Sequence, residues 1–482
     1  MKRTIVCVLM SICFLSLVSR AEAVLLMEDR WELTGYAEIF SAWSMDRYPN
    51  TAGVQENDKG QLVMFRNTIQ LENYVKLTDN CQFTGIIRGF YDGSWSANDD
   101  LNQGPKKLTS MPDGEDMESD LDFREYYISY FPGNFAIKIG RQQVVWGESD
   151  ILRLSDIINP LDMSWRGFFE SWEDIRIPLR MIDVVYSLPW RQAENNIKLE
   201  LLYNPEDFRP TRFAPEGSFW YPQNLPPGTL GLIDSQLPEK HDLTNGQVGG
   251  RVRGELGDWG LSVFTYYSLM DMPVFAFNPF SPVGVDFDYS RITTFGGSFN
   301  YYEQHTGTVF RGETTYTRHQ AFNQIVINPM FGPIPDTTNK NRAAIMLGFD
   351  RPTWIKWINP MKTFFISGQV FYNQILNMDD DDNIFNTGMG KTGAYDHQTA
   401  FTLLMNTEMF DSKFYPEIQA GYDLGGSTMF APVFRYEPNW TVSISIGALF
   451  VWTKDDPYKY SAGIFGPFTD CDEIYCRLRW KF

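Results

Sequence analysis

Long apolar runs are what this sequence lacks most. Beyond its first 23 residues, no stretch reaches 18 consecutive apolar residues, which excludes a bilayer-spanning helix of about 20 such residues. An excess of positive charge is also missing. Lys and Arg number 41 against 60 Asp and Glu, a formal net charge of −19. Nucleic-acid binding, which needs a basic footprint against phosphates, is excluded. Cysteine is scarce. Of five, Cys7 and Cys13 fall in the first 23 residues, leaving Cys81, Cys471 and Cys476. That odd number argues against a disulfide framework, and no zinc or haem-attachment spacing occurs. The three are read as incidental thiols.

Histidine is rarer still: His241, His305, His319 and His397. A hydrolase needs a base beside a nucleophile, and no Gly-x-Ser-x-Gly elbow accompanies them. An enzyme is not expected, nor a cofactor or metal. The acidic runs "DGEDMESDLD" (113–122) and "DDDD" (379–382) lack the oxygen spacing and Gly turn of a calcium loop. They read as solvated outer loops.

What is present begins with "MKRTIVCVLMSICFLSLVSRAEA". Its basic start, short apolar run and Ala21-Glu22-Ala23 ending have the form of a secretory signal peptide. Residues 1–23 are therefore expected to be a cleaved leader and 24–482 the mature domain. Aromatics make up 16% of residues, which suits a membrane barrel with aromatic girdles.

The last residues set the class. In "IYCRLRWKF", Ile474, Cys476, Leu478, Trp480 and Phe482 share one parity, and Tyr475, Arg477, Arg479 and Lys481 the other. Period-two alternation is a strand with one apolar and one wet face, and three cations on the wet face require a polar lumen. The pattern recurs at 196–204, 246–256 and 439–452. About 18 such strands are expected, a transmembrane antiparallel β-barrel. Its connections sort by length. Tight ones ("TDN" 78–80, "PG" 132–133, "GDW" 257–259, "DS" 411–412) alternate with long ones (43–60, 92–120, 143–179, 205–245, 271–289, 319–340, 375–396, 453–469). Short periplasmic turns and long extracellular loops have this asymmetry, which a soluble sandwich or propeller lacks. The location is the outer membrane of a Gram-negative bacterium, with lipid and lipopolysaccharide as surroundings.

One connection stands apart. Residues 140–165, "GRQQVVWGESDILRLSDIINPLDMSW", start as a strand and continue with helical spacing at Ile151, Leu154 and Ile158. Ser149 is a candidate N-cap and Pro160 a stop. A partly apolar connection this long must fold onto other loops or back into the lumen. The expectation is an inward-folded helical loop, 143–179, that constricts or plugs the lumen. Its candidate gate residues are Arg141, Trp146, Glu148, Asp150, Arg153, Asp156, Asn159, Asp162, Trp165 and Arg166. The charges either sort solutes by sign or pair among themselves as glue, since buried charges need partners. In the loop 205–245, Phe219, Trp220 and Tyr221 either form a lid that meets an apolar solute or pack on neighbouring loops.

The run "IGRQQVVWGESDILRLSDIINPLD" resembles the G-R-Q-x-V-x-W-G-[ED]-[ST] and D-x-[IV]-N-P-x-D hallmark of the outer-membrane barrels of domain-of-unknown-function family 1302. "EDIRIPLRMIDVVYSL" and "YNPEDFRPTRFAPEGSFW" fit too. Alginate-export barrels are a poorer match, since their lumen is expected to be cationic. The family resemblance implies a conduit for apolar or lipid-like molecules, with an inner-membrane exporter or periplasmic lipoprotein as candidate partner. The terminal Phe482 resembles a sorting signal, which implies the barrel-assembly machinery as another. The function expected is a channel for small amphipathic or hydrophobic molecules gated by 143–179. The alternatives are a closed structural or adhesive barrel, a general diffusion porin, or an outer-membrane hydrolase.

Overall fold

The computed structural model describes residues 24–26, 30–46, 58–97, 117–189, 195–205, 207–215, 218–222, 238, 243–281, 284–379, 382–385, 396–454 and 463–482. The leader and His241 lie outside them. Eighteen strands close into one antiparallel barrel. In order they are Trp31–Ser44, Leu62–Thr78, Cys81–Asp92, Ser119–Tyr130, Phe135–Gln142, Leu179–Ser187, Asn195–Asn204, Gln247–Leu256, Trp259–Leu269, Arg291–Glu303, Thr308–Asn328, Gly332–Thr353, Phe364–Leu376, His397–Asn406, Phe414–Asp423, Ser427–Tyr436, Val442–Thr453 and Glu473–Lys481. Each pairs with the next. The first pairs with the last, from Tyr36 opposite Lys481 to Ser44 opposite Glu473, so no edge is left open.

The alternation places the side chains as expected. On the seventh strand Leu201 is 56% exposed, while Glu200 and Leu202 on either side are buried. Ile474 faces out and Tyr475 in. The outward rows meet lipid and the inward rows line the lumen.

Two expectations fail. The expected loop 319–340 is a hairpin that continues the eleventh and twelfth strands, from Gln320 opposite Lys340 to Asn328 opposite Gly332. The register breaks between Thr317 and Gln320, where His319 adopts a left-handed φ of 57°. Such a bulge redirects a strand without ending it. The helix expected after Ser149 does not form either. Residues 143–161 are irregular, and Ser149 caps nothing. Among the described residues, segment 143–178 contains one short helix, Trp172–Ile175, capped by Ser171.

The reason is where the backbone donors go. The N–H groups of Glu148 and Ser155 donate to the Glu313 carboxylate at 2.5 and 2.9 Å, and that of Asp150 to Gln369 Oε1 at 3.3 Å. In a helix begun at Ser149 the Ser155 N–H would pair with the Ile151 carbonyl, and Glu313 takes that donor instead. The Glu148 and Asp150 N–H groups precede the first i−4 bond of such a helix and are satisfied by the wall.

Candidate functional site

The segment 143–178 lies between the fifth and sixth strands, and its hydrogen bonds reach many inward-facing residues, among them two groups on separated arcs of the barrel. On one arc, Arg311 of the eleventh strand holds Asp150 Oδ2 at 2.6 Å. Ser367 and Gln369 of the thirteenth strand donate to the same oxygen at 2.8 and 3.0 Å. On the other arc, Arg166 meets Glu473 of the eighteenth strand at 2.5 Å. Arg477 of that strand reaches Glu170 at 2.5 Å, and Arg88 of the third reaches Asp174 at 2.5 Å. The two arcs lie at least five strands apart around the ring.

Burial adds to these polar ties. Val144, Trp146 and Ile158 pack against Leu202, Phe264 and Tyr266 of the wall. Ile151, Leu152 and Leu154 join a cluster with Met346, Phe371 and Phe465. Each fully buried side chain of this kind contributes roughly 1.5–3 kcal/mol.

The sequence-derived gate residues are brought together mostly as paired groups. Arg141 binds Asp122 Oδ1 at 2.7 Å, also within the barrel wall. The Trp146 indole donates to Glu200 Oε1 at 2.7 Å, and Arg251 reaches the other Glu200 oxygen at 2.8 Å. The Glu148 side chain accepts from Asn300 at 3.2 Å. Arg153 donates to Asn159 O at 2.8 Å and lies 3.2 Å from Asp156, which Arg176 also holds at 2.8 Å. Asn159 cross-links the segment: its side chain accepts from Val144 N–H at 2.9 Å and donates to Ile177 O at 2.8 Å. Asp162 binds the Ser164 hydroxyl and faces Arg212 at 3.4 Å. Trp165 lies under the Arg66 guanidinium at 4.7 Å. Arg166 bridges Glu170 and Glu473 and stacks on Tyr475.

Most of these charges are paired. Asp174 shows the energetic result: burial pushes its carboxyl up, but Arg88, Arg479 and Arg124 outweigh this and hold it at about 2.

Phe219, Trp220 and Tyr221 are buried. Trp220 packs on Phe169 and Phe468, and the Cys471 thiol donates to Phe219 O at 3.3 Å. All three are packed among neighbouring side chains.

The sequence reading missed Glu313, Arg311, Glu200 and Glu473, which anchor the segment from the wall. Their signal was present: charged residues on the inward parity of spanning strands. Two spaces adjoin the segment. A small cavity is lined by Arg66, Arg88, Arg124, Arg141 and Arg212 with Glu38, Asp120, Asp122 and Asp174. A larger one of about 580 Å³ lies at the long-loop end, bounded by segment residues 153–161 and by the ninth to fifteenth strands. His397 lines it beside Asp396 at 2.6 Å. Among the described residues no cluster of His, Cys, Asp and Glu is arranged to hold a metal.

A closed 18-stranded antiparallel barrel with an apolar outer surface and a polar lumen has the form of an outer-membrane β-barrel. The chain belongs to the family described as "protein of unknown function (DUF1302)", which matches residues 9–482. No curated protein matches the sequence. Solved structures that it resembles include Acinetobacter baumannii OccAB2, at 9% identity over 94% of this chain and 98% of that one, with a TM-score of 0.48. Others are the outer-membrane channel DcaP of Acinetobacter baumannii (8% identity, 96% and 100% covered, TM-score 0.41) and Salmonella typhi OmpF in complex with daunomycin (10%, 94% and 97%, 0.40).

Proposed function

We propose that the protein is a conduit of the outer membrane for small amphipathic or apolar molecules, and that segment 143–178 sets what passes. The observation that carries this is the anchoring of the segment to two separated arcs of the inner wall, through Arg311–Asp150 on one side and Arg166–Glu473 on the other. A chain tied at both places crosses the lumen instead of hanging outside it. Side chains bordering the spaces that remain then meet any solute first. Leu154, Ile157 and Ile158 on the large cavity favour an apolar component in that solute.

Purified barrel in a planar bilayer is expected to give discrete conductance steps, and deletion of residues 148–172 to enlarge them. Heat-shifted gel mobility checks that both proteins are folded. Silence from both folded forms would overturn the conduit. The dense pairing of the segment's charges supports a second reading, a permanently closed structural barrel. That barrel would stay silent until the segment is deleted.

A further inference from the structure

The cavity at the long-loop end is chemically uneven. Leu154, Ile157 and Ile158 of the segment give it one apolar side, extended by Phe322 and Ile384. Three cations reach it: Arg153, Arg209 and Arg342. Two are already matched, Arg153 at 3.2 Å from Asp156 and Arg209 at 3.2 Å from Asp207.

Arg342 differs. It sits on the inward parity of the twelfth strand with Ala344 and Met346, both buried. Its Nε and Nη2 donate to one oxygen, Asn373 Oδ1, at 3.1 and 2.6 Å. Among the described residues no carboxylate lies within ion-pair distance of it. A guanidinium has five N–H groups, so most of its donors remain available. The acids around the cavity are engaged instead. Asp156 is held by Arg176, Asp271 accepts from Thr211 Oγ1 at 2.8 Å, and Asp396 is bound to His397. Asp423 accepts the Gly425 N–H at 2.5 Å.

We infer that this cavity binds amphipathic monocarboxylates, with the carboxylate on Arg342 and the apolar tail along Ile157, Ile158 and Phe322. The planar guanidinium matches a carboxylate with two parallel hydrogen bonds, a geometry that an ammonium cannot offer. The apolar side strengthens that pair by excluding water. A volume of about 580 Å³ falls in the range of small-molecule sites. The site's role in passage rests on the conduit proposed above, but its occupancy does not.

The test is calorimetric titration of octanoate into the full barrel held in an amphipathic polymer, beside octylamine and octanol. Octanoate is expected to bind well ahead of both. Arg342→Gln should weaken it at least tenfold, and Arg342→Lys should restore part of the loss. Equal binding of the three probes, or an unchanged affinity in a folded Arg342→Gln, overturns the site. Bilayer conductance on the same preparations separates the two proposals. Conductance without octanoate binding removes the site and leaves the conduit. Octanoate binding with a silent bilayer leaves the site and removes the conduit.

Discussion

Arg311 and Asp150 are 161 residues apart in the chain and 2.6 Å apart in the barrel. Arg311 also holds Asp350 at 2.7 Å, so one guanidinium keeps two carboxylates together. Arg311→Ala would leave them facing each other uncompensated. The expected result is a lower temperature for the heat-induced gel shift, with noisier or larger conductance steps. Arg311→Lys, which keeps charge but not the fork, should fall between. A variant with wild-type stability and current would mean that this pair does not restrain the segment.

Arg166 is buried between two acids, Glu170 and Glu473. Removing one partner of a buried ionic group costs about 3–5 kcal/mol when a charge stays behind unpaired, as Glu473 would here, whereas Glu170 keeps Arg477. Arg166→Ala should therefore lower the urea midpoint strongly. Pairing Arg166→Met with Glu473→Gln should cost less than the sum of the two single changes. Strict additivity would show that the residues act independently.

Gly147 leaves no room for a side chain. A Cβ there would stand 2.7 Å from the backbone nitrogen of Asp156 and 3.2 Å from its Cα. Backbone cannot rotate aside as a side-chain tip can. Gly147→Ala should shift the segment and move Trp146 off Glu200, read as a change in tryptophan emission in the folded barrel. An unchanged spectrum would show that the segment absorbs the methyl group locally.

Asp472, just before the last strand, gives a pH test. Burial raises its carboxyl to about 6, and Asp46 and Asp470 add to this. The folded protein thus holds this proton more tightly than the unfolded chain, whose value is near 4. The stabilisation is full below that lower value and is lost as pH rises through about 6. Unfolding midpoints should fall between about pH 4 and 6.5 more steeply in the wild type than in Asp472→Asn. Parallel curves would dismiss the effect.

Much of the wall was legible because a strand in a barrel repeats every two residues and meets only two media. Leu199, Leu201 and Tyr203 against Glu200 needed no partner to be assigned. The segment at 143–161 was another matter. Its apolar spacing was helical, but its shape depends on Glu313 and Gln369, whose distance in sequence hides them. Its charges were visible, and their pairing was not. The hairpin beyond His319 was missed although "AFNQIVIN" is rich in β-formers, because a strand outside the membrane need not keep the lipid-facing rhythm.

That hairpin has a mechanical side. The eleventh strand runs on into it and carries Arg311 and Glu313, and the twelfth carries Asp350. Without interruption, the pair would be a stiff rod joining its outer tip to the residues that hold Asp150. The broken register at His319 interrupts that rod between its outer tip and those residues. The outer arm can turn there, while Arg311, Glu313 and Asp350 stay in the uninterrupted ladder below.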